Sequence, residues 1–400
     1  MGVATPAALD ALAGFSISLQ CWQGDDVTGF EPSRGALGGG LAVTGAYPGR
    51  ARTPDELRAD LEVAYRLIPG RHRLSLHAMY GEFGGQAVDR DAIGPEHFQG
   101  WIAWAREQGV GLDFNPTCFA HPRAAGGLTL AHPEASVRRF WIEHVRRSRE
   151  IAAALGRAQG SPCVHNIWVP DGFKDTPADR WGPRERLGAS LDAARARAFP
   201  AAQLLDAVEP KLFGLGAESC TVGSYEFLYG YAMTRRILLC LDAGHFHPTE
   251  TLGDKLSGVM PFLPGVLLHL SRGVRWDSDH VVTFTDELQA VAREVVAGGQ
   301  ASRVHLGLDY FDATLHRVAA WVIGTRNVLR ALLVALLEPP GIRAAEREGD
   351  LTARLALQEE ARALPFGAVW DRYCELHGTP PGEAWLEVVR RHEREVTSRR

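Results

Sequence analysis

The sequence predicts an α/β fold of the (β/α)8 TIM barrel type, followed by a C-terminal helical extension. Three observations carry this. Before Pro339, eight short β-rich runs alternate with eight amphipathic segments. The links between successive runs are long enough to hold a helix, which parallel strands require. No G-x-G-x-x-G turn joins a strand to a helix, as an open doubly wound nucleotide-binding sheet would favour. A series of eight strand–helix units closes most simply into a barrel.

The runs are SISLQCW (16–22), RLSLHAMY (73–80), GLDFNP (111–116), CVHNIWVP (163–170), LLDAVEPK (204–211), ILLCLDAG (237–244), VLLHLSR (266–272) and VHLGLDY (304–310). The intervening segments, from ELRADLEVAYRLI to HRVAAWVIGTRNVLRALLVALL, repeat apolar residues at helical spacing. Several begin with helix-opening residues: Thr53-Pro54-Asp55-Glu56, Pro95-Glu96 and Thr285-Asp286-Glu287. The glycine-rich GALGGGLAVTG (35–45) lacks the nucleotide-binding context and reads as a flexible loop over the site. Pro339-Pro340-Gly341 ends the last barrel helix, and the remainder is helical with turns at Pro365 and at Gly378-Thr379-Pro380-Pro381. Residues 1–338 are therefore expected to form the catalytic barrel. Residues 339–400 are expected to form an extension, either at an oligomer interface or capping the barrel itself.

With 46% hydrophobic and 23% charged residues, the composition is that of a soluble globular protein. A net charge of -5 argues against a nucleic-acid surface, which needs a concentrated basic footprint. The expected partner is a small neutral molecule. The six cysteines include no C-x-x-C pair, so reduced thiols are the simplest reading. No signal-peptide pattern or bilayer-length apolar run is evident, and a cytoplasmic enzyme without membrane contact is expected.

In a barrel of this type the active site lies at the C-terminal ends of the strands. Collected there are Trp22, His77, Asn115, Trp168, Glu209 with Lys211, Asp242 with His245, His269 and Asp309. Asp277 and Asp279 follow the seventh run. Side chains at i and i+2 of an extended segment share a face, so Glu209 and Lys211 can both enter the mouth, as can Asp277 and Asp279. An Asp pair with a histidine makes an oxygen-rich, open site suited to Mn²⁺, Mg²⁺ or Co²⁺. Glu209, Asp242, His269 and Asp309, from four successive strand ends, can close around a second ion.

Each residue also has a plainer reading. Asp242 suits a cap or an ion pair. His269 suits a satisfied core position, Lys211 can neutralise Glu209, and His77 can bond a neighbouring loop. His247 and His280 read as supporting residues. His72, His97, His132 and His392 read as surface or loop residues, and Cys118 as packing. Convergence on one end of one barrel favours the metal reading. Metal-dependent barrel hydrolases acting on phosphodiesters, and sugar-binding proteins without catalysis, are the competing classes.

The segments CWQGDD (21–26), TGAYPG (44–49), GLDFNPTCFAHP (111–122), NIWVPDG (166–172), ESCTVGSYEF (218–227), LCLDAGHFHPTE (239–250), VRWDSDHVV (274–282), GLDYFDA (307–313) and AAWVIGTRN (319–327) closely resemble the bacterial L-rhamnose isomerase family. The resemblance covers nearly the whole chain. It implies a metal-dependent aldose–ketose isomerase on a (β/α)8 barrel, a homotetramer that interconverts L-rhamnose and L-rhamnulose by a 1,2-hydride shift. It implies two divalent ions per subunit, Mn²⁺ first, with Co²⁺, Zn²⁺ or Mg²⁺ as substitutes. By position, Glu209, Asp242, His269 and Asp309 would hold a structural ion, and His245, Asp277 and Asp279 a catalytic one. Lys211, His77 and Asp309 would stand at the chemistry, the first two touching sugar. Trp22, Phe119 and Trp168 would form apolar walls. One departure is visible: the first strand lies close to residue 1, where the family carries a longer helical lead-in.

Overall fold

Eight parallel strands close into a barrel in chain order in the computed structural model, which describes residues 3–31, 41, 43–214, 216–274 and 279–400. Most of the glycine-rich segment, and Asp277, lie outside the described residues. The strands are β1 (Ile17–Gln20), β2 (Arg73–His77), β3 (Gly111–Asn115), β4 (Cys163–Trp168), β5 (Leu204–Glu209), β6 (Leu238–Asp242), β7 (Val266–Leu270) and β8 (Val304–Leu308). Each falls inside one of the apolar runs. Closure comes from β1 pairing with β8, Ile17 opposite Leu306.

Helices cover the outside: α1 (Thr5–Ala13), α2 (Pro54–Arg66), α3 (Gln99–Gln108), α4 (Ala135–Gln159), α5 (Trp181–Ala194), α6 (Tyr225–Arg235), α7 (Leu252–Val259), α8 (Asp286–Ala297) and α9 (Arg317–Leu336). The starts follow local chemistry. Thr53 accepts the Glu56 amide at the head of α2, and Thr285 accepts the Leu288 amide at the head of α8. Helix α1 precedes the first apolar run; Pro6 opens it, and it buries Ala8 and Leu12. Helix α9 is long and apolar enough to cross a bilayer, but 83% of its most apolar stretch is buried in this fold.

Four helices follow: α10 (Pro340–Arg347), α11 (Leu351–Arg362), α12 (Phe366–Leu376) and α13 (Trp385–Glu395). The first two read as one segment in sequence. Gly349, at φ +77°, separates them in a conformation that suits glycine. The tail packs on its own barrel. His392 Nε2 lies 2.7 Å from Asp60 Oδ1 on α2, and Arg400 Nη1 lies 2.6 Å from Asp60 Oδ2.

His392 is thus buried rather than a surface residue, and so is His72. The Nδ1 atom of His72 accepts the Ile17 amide at 3.2 Å, while Nε2 donates to the Pro69 carbonyl at 2.9 Å. His144 is held likewise: Nε2 accepts the Thr117 amide at 2.8 Å and Nδ1 donates to the Arg90 carbonyl at 2.9 Å. Either ring would lose an accepted bond on protonation. Burial depresses His72 to about 4 and His144 to about 3. In the unfolded chain both titrate near about 6.5. The folded state therefore binds fewer protons, and the stability these rings contribute is complete above about pH 6.5 and falls as pH drops toward 4. Each ring accounts for roughly 3 kcal/mol over that window. Urea midpoints at pH 7.5 and pH 4.5 should differ accordingly; equal midpoints would count against this account.

All six cysteines are buried and none is in a disulfide.

Candidate metal and sugar site

Parallel register sets the polar strand ends at one height. Trp168 on β4 stands opposite Glu209 on β5, and Asp242 on β6 opposite His269 on β7. Asp309 directly follows β8, whose Leu308 pairs with Leu270. Gly307 leaves room for the His269 ring, since a Cβ there would lie 3.3 Å from its Cδ2.

Glu209, Asp242, His269 and Asp309 are all buried, and one ligating atom from each lies within 4.8 Å of the others. The Nδ1 atom of His269 is 3.0 Å from Asp309 Oδ2, 3.4 Å from Glu209 Oε2 and 3.6 Å from Asp242 Oδ2. It is aligned for a hydrogen bond with none of them, and Asp242 Oδ2 has no hydrogen-bond partner either. Asp242 does act as a turn cap as well, its Oδ1 accepting the Gly244 amide at 2.6 Å, which leaves Oδ2 facing the cluster. Groups aimed at a shared centre, rather than at each other, fit a divalent cation with oxygen and nitrogen donors.

The electrostatics agree. Burial pushes the Asp242 carboxyl above its ordinary value, against the opposing pull of His245 and His269. Burial would depress His269, yet the surrounding Cys240, Glu209 and Asp309 raise it well above its usual range. Three carboxylates taken from water need a compensating charge.

Beside the cluster is a small pocket. Its lining includes Trp22, His77, Trp168, Lys211, His245 and Asp279, together with the cluster residues Glu209, His269 and Asp309. His245 Nδ1 donates to the Pro210 carbonyl at 3.0 Å, an orienting bond of the kind metal-binding histidines use. The Lys211 ammonium lies 5.1 Å from the Trp168 ring centre. Gly214 packs against its chain, where a Cβ would come within 2.5 Å of Lys211 Cε. His77 stacks on Trp22 at 4.4 Å, and burial holds its ring well below the ordinary histidine range. Phe119 packs on Trp22, His77 and Trp168 with ring centres 5.6 to 6.4 Å apart. Its backbone carbonyl accepts from the buried Arg90, which pairs with Glu31 at 2.9 Å.

The structure thus gathers every proposed residue except Asp277, which lies outside the described residues. It adds Gln20, Asn166, Leu41 and Phe311 to the lining. Asn166 shares the strand face of Trp168, a period-two signal present in HNIW, and Gln20 ends β1 two residues before Trp22. Gln20 Oε1, Trp22 Nε1, both His77 ring nitrogens, Asn166 Oδ1 and Trp168 Nε1 are buried without hydrogen-bond partners. Such a concentration of unsatisfied polar atoms is costly in a folded core and is what a polyhydroxylated ligand would satisfy.

The family profile described as L-rhamnose isomerase (RhaA) matches residues 1–400. The chain belongs to the L-rhamnose isomerase family. An L-rhamnose isomerase of Rhodopirellula baltica is 63% identical over 401 residues, covering 100% of this chain and 94% of that protein. One of Cronobacter sakazakii is 56% identical, covering 100% of this chain and 96% of its own length. At these identities the family's activity, isomerisation in rhamnose metabolism, is that of this chain. Among solved structures, an L-ribulose 3-epimerase superposes with a TM-score of 0.49 at 13% identity, over 84% of this chain and 98% of that one. That likeness is too weak to bear on function.

Proposed function

We propose that this L-rhamnose isomerase family member works with two divalent ions, Mn²⁺ first among them, and interconverts L-rhamnose and L-rhamnulose by an internal hydride transfer. The observation that supports it is the buried convergence of Glu209, Asp242, His269 and Asp309 beside a cavity lined by unsatisfied polar atoms. These four would hold one ion. His245, Asp279 and, by its place in the sequence, Asp277 would hold the other. Ions held there would supply Lewis acidity for a hydrogen transfer within the sugar, with no external carrier.

The protein's own groups do the rest. Trp22 and Trp168 present apolar faces for the sugar and exclude water. Lys211 is the cation that steadies a hydroxyl oxygen as its proton leaves. His77, kept neutral by burial, offers one ring nitrogen as donor and the other as acceptor for a sugar hydroxyl. Cytoplasmic location and a homotetrameric state belong to the same reading. The latter is favoured by the exposed Leu351 and Leu355 of α11, a helix that buries none of its own residues.

Removal of metal is the direct test. Dialysis against a chelator should abolish ketose formation from L-rhamnose, and Mn²⁺ should restore it. Turnover that survives rigorous chelation would refute the metal assignment. Substantial loss of C2 deuterium to solvent during turnover would refute the hydride transfer and favour an enediol.

A further inference from the structure

We propose that Asp312 is a positioning residue, which holds Asp279 in the conformation that aims it into the cavity. The proposal rests on the reading of Asp279 as an ion ligand.

Asp279 has φ +46°, a left-handed backbone that a residue other than glycine adopts at a cost and keeps where its surroundings enforce it. The next two residues are tied to one buried carboxylate. Asp312 Oδ2 accepts the Val281 amide at 3.2 Å and lies 3.3 Å from His280 Nδ1. The same residue is fixed from two other directions. Its Oδ1 accepts the Thr314 amide at 2.9 Å and the Thr314 hydroxyl at 2.6 Å. Its backbone amide donates to Gln23 Oε1 at 2.7 Å, and its carbonyl accepts from Gln23 Nε2 at 2.9 Å. Asp312 also pairs with Thr44 in a short parallel ladder, 44–45 against 312–313.

Asp312 therefore joins the loops that follow β1, β7 and β8. It lies three residues beyond Asp309 and reaches to within two residues of Asp279, so one side chain couples the cluster's last ligand to the neighbouring set. Asp312 itself is neither a lining residue of the cavity nor a member of the cluster. Its effect must pass through the loop.

The test compares Asp312→Asn, Thr314→Val and Asp279→Asn in the full chain. Mn²⁺ binding to metal-free protein is followed by the electron paramagnetic resonance of free Mn²⁺, alongside kcat and KM for L-rhamnose. An asparagine at 312 keeps one acceptor but can turn an amide donor toward the Val281 amide. It should weaken the weaker Mn²⁺ site by about 10- to 100-fold, as loss of an orienting partner does. Excess Mn²⁺ should restore most of kcat. Thr314→Val disturbs the same carboxylate on its other side and should bind Mn²⁺ as the native protein does. Asp279→Asn should lose that site and not be rescued. Should Asp312→Asn fail to fold, His280→Leu removes one loop-side contact and should weaken the site in the same direction by a smaller factor.

Native Mn²⁺ binding in Asp312→Asn, beside loss in Asp279→Asn, would overturn the positioning role. So would equal losses in Asp312→Asn and Thr314→Val, which mark a general structural defect, or native binding in His280→Leu when that variant stands in. Native binding and turnover in Asp279→Asn would instead overturn the ligand reading on which the proposal rests.

Discussion

Glu209→Gln is expected to lower kcat by at least about a thousandfold, and to shift stability in opposite directions with and without metal. The rate loss corresponds to roughly 4 kcal/mol of transition-state stabilisation. Glutamine keeps the shape and one oxygen, but it removes one of three buried carboxylates that converge within 4.8 Å with His269. Without metal, those carboxylates repel one another, and deleting a charge relieves the repulsion. With metal, the same deletion removes an anionic ligand, and binding stabilises the native state less. Melting temperature should therefore rise in chelator and fall in saturating Mn²⁺, relative to the unmodified chain. A change of the same sign in both conditions would mean that Glu209 is not part of a metal cage.

Lys211→Met is expected to separate chemistry from metal binding. Methionine preserves the length and apolar contact with Trp168 but has no charge. Proton management at the sugar's oxygens contributes typically about 10²- to 10⁴-fold to such reactions, and a loss in that range is expected in kcat. Mn²⁺ affinity should stay within a few-fold of native, and KM should move little, because the lost interaction belongs to the transition state. A variant with normal kcat but a much raised KM would make Lys211 a binding contact alone.

The barrel was legible because each strand is a short apolar run ending in a polar group, and that pattern repeats along the chain. Charged ligands stood out for the same reason: Glu209, Asp242 and Asp309 are conspicuous at the ends of buried strands. The amides of Gln20 and Asn166 carry no charge and are ordinary in sequence, and for Asn166 the parity of its neighbours is what marks it. His72 and His392 read as surface or loop residues in sequence because burial of a histidine is decided by distant partners. The Ile17 amide and the Asp60 carboxylate lie 55 and 332 residues away. Helix α1 and the short ladder at Asp312 are illegible in sequence for a similar reason. The helix shows few turns' worth of pattern, and a two-residue ladder depends on contacts between loops that no local window contains.

The six buried thiols turn the protein into its own opening gauge. A thiol-reactive dye cannot reach the fully buried ones in the closed fold, so each of their labelling rates reports how often the surroundings part. Cys21 samples the end of β1, Cys163 and Cys240 the barrel staves, Cys118 and Cys220 the loops above them, and Cys374 the C-terminal helices. Peptide-resolved labelling, with and without metal, would then rank these regions by their resistance to opening. A metal cage spanning β5 to β8 should slow Cys240 far more than Cys374.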